Sequence, residues 1–317
     1  METTSRPAAK DVYAIITERI TAALERGTAP WHQTWTAGMA PQSLVTRHAY
    51  RGVNVFVLSM TARAVGYGSP YWVTYNQARS MGGNVKRGEH GTPVVFWKFF
   101  DAPAVDNTDG DELEITDTPR ARRRPPLLRY YTVFNVAQTE GIAIPTPLNG
   151  APVAPIEAAE QIVAGMPRAP RIVESLDGGA YYAPRLDMVH MPARPRFSRS
   201  EDFYAVLFHE LTHSTGHASR LNRSTLNEAG RFGDANYSRE ELVAEMGAAF
   251  LCGVAGIENA TIDQSAAYLK GWLRALASDP RMLVIAAAQA QKAADFILGR
   301  AQADVTISEP AEIPAAA

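Results

Sequence analysis

Apolar residues recur at helical spacing near the start of the chain and predict an amphipathic helix between Asp11 and Gly27. Ile16, Ile20 and Leu24 fall on one face of this helix, and Gly27 is a typical helix end. Further on, residues 92–100 and 127–136 are rich in β-branched and aromatic residues, which favours strands. The charged, proline-bounded residues 101–126 between them predict a flexible insertion, so the two strands should form a hairpin with a long loop.

The second half of the chain mixes short strand patterns with longer apolar runs, which indicates an α+β fold. Its predicted elements are a helix over 156–166, a strand over 171–175, a hairpin-like pair over 180–184 and 187–192, a buried helix beginning near Ser198 or Ser200, a helix over 238–251, and helices near 261–277 and 280–299.

Proline-rich residues 145–155 have the composition of a linker and divide the chain into two predicted domains, residues 10–144 and residues 156–301. The ends, residues 1–9 and 302–317, predict disorder.

Composition is ordinary for a globular protein, and its informative features are the single cysteine and the charge distribution. Cys252 alone excludes internal disulfides and a cysteine-based metal site. Residues 1–150 carry 16 Lys and Arg against 13 Asp and Glu, whereas residues 151–317 carry 15 against 20. We expect the basic first half and the acidic second half to have different partners.

No signal peptide or membrane span is expected, so the simplest interpretation is a cytoplasmic protein without a membrane partner.

The strongest candidate chemistry is the H-E-x-x-H motif, which comprises His209, Glu210 and His213. The apolar run before the motif predicts that it lies in a buried helix, where residues four apart share one face. His209 and His213 can therefore direct two imidazoles at one metal ion, and Glu210 is placed to accept a proton from a water molecule on that metal. The alternative is an ordinary amphipathic helix whose histidines are satisfied by hydrogen bonds.

A metal site needs a third ligand, and the sequence offers two kinds of candidate. The metzincin spacing would require a histidine where Ser219 stands, and His217 follows a predicted helix end at Gly216. Downstream, Glu241 and Glu245 lie four apart on one face of the predicted helix over 238–251, beside apolar residues. Two carboxylates in such surroundings need a cation.

This pattern resembles the gluzincins, and the resemblance implies that Glu241 is the third ligand and that Glu245 orients a ligand histidine. Glu240 is a close competitor, and Glu241 could instead cap the helix together with Ser238. Two histidines, one glutamate and an open position favour one catalytic Zn²⁺ ion, although other divalent metals suit the same ligands. Tyr204, Tyr237 and His217 are candidates for stabilising an oxyanion.

The whole chain resembles a known family through several short motifs. These are Pro30-Trp31, Tyr50-Arg51-Gly52-Val53-Asn54, Trp72-x-Thr74-Tyr75-x-Gln77-Ala78, Gly82-Gly83-x-Val85-x-x-Gly88-Glu89-x-Gly91, Tyr131-Thr132-Val133-Phe134-Asn135-Val136 and the H-E-L-T-H-x-T-G-H segment. Together they resemble ArdC-type antirestriction proteins over residues from about 10 to 300. The resemblance implies a small α+β domain that binds single-stranded DNA, followed by a zincin-like, gluzincin-type metallopeptidase domain.

A single-strand binder needs cations for phosphates and aromatic rings for bases. The candidates in the first half are Trp31, Tyr50, Arg51, Trp72, Tyr75, Lys86 and Arg87. The alternative is that the aromatic rings belong to the core and the charges to a solvated surface.

The resemblance implies protection of incoming mobile DNA, with single-stranded DNA and an unknown protein or peptide substrate as partners. One alternative is a single-strand-binding protein whose metal site is idle, and another is a zinc hydrolase or nuclease with a different substrate. A peptide is favoured because zincins hold substrate along an edge strand, which residues 181–191 would supply here.

Overall fold

The computed structural model describes residues 12–27, 29–31, 40–98, 127–145, 155–227, 235–257 and 266–300. The predicted disordered ends, the insertion at 101–126 and most of the predicted linker lie outside these residues. The first half contains helices and strands in the order α1 (Val12–Glu25), β1 (Gln42–Ser43), α2 (Val53–Val65), β2 (Tyr71–Thr74), α3 (Tyr75–Ser80), β3 (Asn84–Val85), β4 (Thr92–Lys98), β5 (Leu127–Asn135) and β6 (Thr139–Glu140).

The second half continues with α4 (Pro155–Gly165), β7 (Arg171–Ser175), β8 (Tyr181–Ala183), β9 (Met188–Pro192), α5 (Ser200–Ser214), α6 (Ser224–Asn227), α7 (Ala235–Ala255), α8 (Ala266–Ser278) and α9 (Met282–Ile297). None of the helices in the described ranges is long and apolar enough to cross a membrane.

Strands β4 and β5 pair antiparallel from Thr92 opposite Val133 to Lys98 opposite Leu127, which confirms the predicted hairpin. They belong to a four-stranded sheet in the order β1-β2-β5-β4, and β3 pairs with β6 in a separate two-stranded sheet. Trp72 lies in β2 and its side chain is buried. Its ring meets that of Tyr67 edge-on at 6.1 Å between centroids. The predicted stacking of Trp72 on bases therefore does not fit its position in the core.

In the second half, β8 and β9 form the predicted hairpin, and β7 joins β9 in parallel to give the order β7-β9-β8. Both hairpin strands contact α5, so this sheet lies over the helix that carries H-E-x-x-H. Helix α7 packs between α5 and α9.

Helix α7 begins at Ala235, so Ser238 lies inside the helix. The predicted capping box of Ser238 and Glu241 is therefore wrong, because helical residues precede Ser238. This start leaves the side chain of Glu241 free of a capping role and available on the face toward α5.

The two halves of the chain share one hydrophobic core. Buried residues of α1 and α2 pack in the same cluster as those of α5, α7, α8 and α9. The ring of Trp31 meets Trp272 edge-on at 6.2 Å, and Phe56 stacks on Phe250 at 4.8 Å. Trp31 is fully buried, so its predicted stacking on bases is replaced by a core role, because burial of an indole removes a large apolar area from water.

A polar contact also joins the halves beside this core. Arg51 forms an ion pair with Asp295 of α9, whose side chain is almost completely buried. The backbone N–H of Gly52 donates to Oε1 of Gln291 at 3.2 Å. Gly52 has φ +58° and ψ −140°, a backbone conformation that side chains disfavour. Arg51, predicted to contact a phosphate, is engaged with Asp295 instead.

Candidate metal centre

The position of the H-E-x-x-H motif is fixed by the apolar residues of α5, which are buried before and within the motif. Phe203, Leu207, Phe208 and Leu211 are buried, while Glu201 and Asp202 in the first turn complement the helix dipole. The helix ends at Ser214, and the turn that follows contains Gly216.

Close approach of α7 to α5 occurs at Gly247. A Cβ atom placed on Gly247 would lie 2.5 Å from Cγ2 of Thr212, so a side chain here would force Thr212 or the two helices to shift. The absence of a side chain at this position lets the helices pack closely enough for Glu241 of α7 to reach the histidines of α5.

The structure brings His209, His213 and Glu241 together, and one potential ligand atom from each lies within 4.8 Å of the others. The Nε2 atoms of His209 and His213 are 3.1 Å apart. Glu241 places Oε2 3.6 Å from Nε2 of His209 and Oε1 3.4 Å from Nε2 of His213. Ligands at ~2.0–2.1 Å from a tetrahedral zinc ion stand about 3.3 Å from one another. The donor set therefore fits a divalent metal ion.

Glu240 has a different position from Glu241, although the two are adjacent in sequence. Its Oε1 lies 3.3 Å from Nδ1 of His213, on the side of the imidazole away from Glu241. A carboxylate at this nitrogen fixes the ring and its tautomer, so that Nε2 is the nitrogen free to bind a metal. The geometry thus gives the two competing glutamates different positions, with Glu241 at Nε2 of both histidines and Glu240 at Nδ1 of His213.

Glu240 is itself held by the loop between α5 and α7. Arg223 donates from both ends of its guanidinium, to Oε1 at 2.6 Å and to Oε2 at 3.1 Å. The hydroxyl of Thr225 donates to Oε2 at 2.6 Å. The side chains of Arg223 and Glu240 are each only 4 % exposed, so this bidentate pair is fully desolvated. In the sequence, Arg223 is one cation of a polar loop, and nothing there indicates that it binds Glu240, the partner of the candidate ligand His213.

The pKa values of the charged groups at this site reflect these contacts. Burial opposes a charge on His213, but its contacts with Glu240 and Glu241 outweigh burial and raise its pKa to about 10. Burial likewise opposes ionisation of Glu240, yet His213 and Arg223 lower its pKa to about 2. Contact with both histidines lowers the pKa of Glu241 in spite of burial. A metal ion bound by these groups competes with protons for them, so metal binding should release protons.

Two further carboxylates flank the centre. Burial lowers the pKa of His209 and His213, hydrogen bonds with carboxylates raise it, and the charge of Glu210, which is 8 % exposed, adds to the increase. Glu245 is buried one turn beyond Glu241 and contributes to the raised pKa of His209. Glu240 occupies Nδ1 of His213, and the orienting role expected of Glu245 stays a prediction.

The oxyanion candidates are occupied elsewhere or lie outside the described side chains. The hydroxyl of Tyr204 contacts Glu160 and accepts a hydrogen bond from Arg194 at 2.7 Å, and both of these partners are about half exposed. His217 pairs through Nδ1 with the hydroxyl of Ser219 at 2.8 Å in its own loop. The side chain of Tyr237 is not among those described.

Among the DNA candidates of the first half, three remain at the surface. Tyr75 is 50 % exposed, and Lys86 and Arg87 are exposed on the turn after β3. Tyr50 is half-buried, and burial raises the pKa of its hydroxyl. The exposed three lie outside the two core clusters that contain Trp31 and Trp72.

Comparison with known proteins matches both halves of the chain. Residues 10–134 match the model of the N-terminal domain of the anti-restriction factor ArdC, and residues 157–289 match that of a zincin-like metallopeptidase. An uncharacterized protein, y4eC of Sinorhizobium fredii, is 38 % identical over 297 residues, covering 90 % of this chain and 91 % of y4eC. DNA primase TraC of Escherichia coli is 34 % identical over 318 residues, which are 93 % of this chain but 28 % of that protein.

Two solved structures of the antirestriction ArdC protein from plasmid R388 are also similar. The Mn(II)-bound structure has a TM-score of 0.71 at 37 % identity, covering 91 % of this chain and 97 % of that one. The metal-free structure has a TM-score of 0.69 at 38 % identity, covering 90 % and 96 %. An ArdC N-terminal domain followed by a zincin-like domain, at this identity and coverage, places the chain in the ArdC family of antirestriction proteins.

Proposed function

We propose that this protein is a divalent-metal-dependent peptidase that also binds single-stranded DNA and protects incoming mobile DNA. The observation that carries the peptidase part is the cluster of His209, His213 and Glu241, with Glu210 buried next to it on the same helix. Protection of DNA follows from membership of the antirestriction family.

Zinc is the metal we propose for the centre. Two imidazoles and one carboxylate are the ligand set of catalytic zinc sites, in which a position stays open for water or substrate. The Mn(II) in the solved ArdC structure makes manganese the principal alternative. A divalent ion bound by these residues acidifies water and polarises a carbonyl group.

Glu210 performs the proton transfers in this proposal. Its carboxylate accepts a proton from the attacking water and delivers it to the nitrogen of the leaving amine. A carboxylate one residue after a ligand histidine lies beside the site without occupying a ligand position, since successive helical residues point about 100° apart.

A peptide substrate is favoured by the open edge of the sheet above α5. Within the described part of the chain, strand β8 pairs only with β9 in the order β7-β9-β8, so its other edge can pair with an extended peptide. A phosphodiester substrate would gain nothing from such an edge, because it lacks the N–H and C=O groups of a strand.

The experiment for the peptidase part is digestion of a peptide library by the full chain loaded with zinc. Mass spectrometry should detect new peptide termini that disappear when a chelator is added, and addition of single-stranded DNA tests coupling between the two activities. A labelled oligonucleotide in the same reaction tests the alternative nuclease. Cleavage of the oligonucleotide without new peptide termini would reject the peptidase.

Single-stranded DNA binding is proposed for the exposed residues of the first half. Lys86→Gln together with Arg87→Gln should weaken binding of a single strand by about tenfold and reduce the slope of log affinity against log salt by about 1.4, since each lost phosphate contact changes it by ~0.7. Arg185→Gln with Arg300→Gln is the matched control, because both are exposed cations of the second half. Equal losses in both double variants would show that only net charge matters.

A further inference from the structure

A cleft of about 760 Å³ opens on the second half of the chain, and none of its described lining residues belongs to the proposed peptide edge strand β8. Its walls are one face of α9, the first turns of α7 and the loop before α6. Arg281, Ile285 and Lys292 line it from α9 and the residue before it, and Arg239 lines it from α7. A volume of this size is typical of small-molecule and cofactor sites, which span ~300–1,000 Å³.

The charge of this cleft is opposite to that of its surroundings. Residues 151–317 carry 15 basic and 20 acidic residues, yet five of those basic residues line the cleft. Among its described lining residues, Asp279 is the sole acid. A concentration of cations in an acidic half of the chain attracts an anionic ligand.

Three of the five cations have too few acidic partners to balance their charge. Arg220 and Arg223 are committed to Asp187 and Glu240. Arg239 and Arg281 share Asp279 at 3.1 and 3.6 Å, so one negative charge faces two positive ones. Lys292 is exposed and has no acidic partner in the part of the chain that the structure describes.

An apolar wall lies beside these cations. Val243, Met282, Ile285 and Ala286 line the same cleft, and Ile285 is 49 % exposed although it is a large apolar residue. A ligand that covers Ile285 while it pairs with the cations must have an apolar or aromatic part as well as an anionic part.

The cleft is separate from the contact between the two halves. Gln291 and Asp295 on another face of α9 meet Gly52 and Arg51, whereas Ile285 and Lys292 face the cleft. Single-stranded DNA bound only to the exposed residues around Lys86 would not explain the cluster of cations on this side of α9.

We propose that this cleft binds a nucleotide, with its phosphate at Arg239, Arg281 and Lys292 and its base or sugar against Ile285. The nucleotide is either a free molecule or one unit of a single-stranded DNA, since both present the same phosphate and ring. Arg239, Arg281 and Lys292 are not among the residues grouped at the metal position, so the proposal does not rest on the peptidase.

The test is isothermal titration calorimetry of deoxyadenosine monophosphate with the full chain. A metal-free buffer is used so that the phosphate cannot bind to a metal ion at the other site. Arg281→Glu with Lys292→Glu should weaken binding by at least about tenfold, because charge-assisted contacts to phosphate are lost and repulsion is added. Arg185→Glu with Arg300→Glu makes the same change in net charge outside the cleft and should change affinity by less than about twofold. Circular dichroism confirms that each variant is folded.

Absence of saturable binding, or an equal loss in both double variants, would overturn the proposal. If a short single-stranded oligonucleotide displaces the nucleotide, the ligand of the cleft is one unit of a DNA strand. If it does not, the ligand is a free nucleotide. Lys86→Gln with Arg87→Gln should leave nucleotide binding unchanged. A cleft that fails this test leaves the proposed peptidase and the single-strand binding of the first half untouched.

Discussion

Replacing Glu210 with glutamine is expected to slow peptide hydrolysis by about 10²–10⁴-fold, the usual contribution of a general acid–base. Glutamine has nearly the same shape as glutamate but cannot accept and return the proton of the attacking water. Glu210 is not among the residues grouped at the metal position, so the affinity for zinc should stay within a few-fold of wild type. The measurement is the rate of peptide cleavage at saturating zinc, with zinc affinity determined in parallel.

The control for this variant is Glu201→Gln in the first turn of the same helix. Glu201 is only partly buried and pairs with Arg199 at 3.7 Å, so its substitution removes a carboxylate from α5 without approaching the metal centre. Cleavage by this control should match wild type. A Glu210→Gln protein that cleaves at the wild-type rate would contradict the assigned role of Glu210.

Replacing Arg223 with methionine should lower the free energy of unfolding by about 3–5 kcal/mol, because Glu240 is left charged and without its buried partner. The same change should weaken zinc binding by about 10–100-fold, since Glu240 no longer holds the Nδ1 side of His213 in place. Denaturant unfolding of the metal-free protein measures the first effect, and competition with a zinc chelator measures the second. Arg199→Met, at an exposed ion pair, should cost less than about 1 kcal/mol.

A second variant separates positioning of His213 from a purely structural role of Arg223. Arg223→Met combined with Glu240→Leu removes both buried charges, so it should recover much of the lost stability. Zinc affinity should stay low in this double variant, because no carboxylate remains at Nδ1 of His213. Recovery of zinc affinity along with stability would show that Arg223 and Glu240 serve the fold alone.

The helix of the metal centre could be predicted because its information is local. The spacing of His209 and His213 and the apolar run before them are visible within 11 residues of sequence. Glu241 required a resemblance, since nothing in the sequence states that α7 packs on α5 or that Gly247 permits it. The roles of Glu240 and Arg223 could not be predicted at all, because they depend on how a polar loop folds back onto the helix.

The aromatic residues of the first half illustrate the opposite problem. Tryptophan is suited both to stacking on a base and to packing in a core. The residue type alone therefore could not decide between these two roles for Trp31 and Trp72. Their burial depends on partners far away in sequence, such as Trp272 for Trp31. The proline-rich composition of residues 145–155 predicted a boundary, but it could not reveal that both sides of that boundary contribute to one core.

The central claim, that His209, His213 and Glu241 form one divalent metal centre, is tested most directly by calorimetric titration of zinc into the metal-free chain. We predict one zinc ion per chain, with affinity reduced by at least about 100-fold in His213→Ala and in Glu241→Gln, because loss of a ligand exceeds loss of its hydrogen-bond partner. Glu245→Gln, a buried carboxylate outside the ligand set, is the matched control and should bind zinc far more tightly than Glu241→Gln. Absence of zinc and manganese binding by wild type, or equal binding by wild type and Glu241→Gln, would contradict the claim.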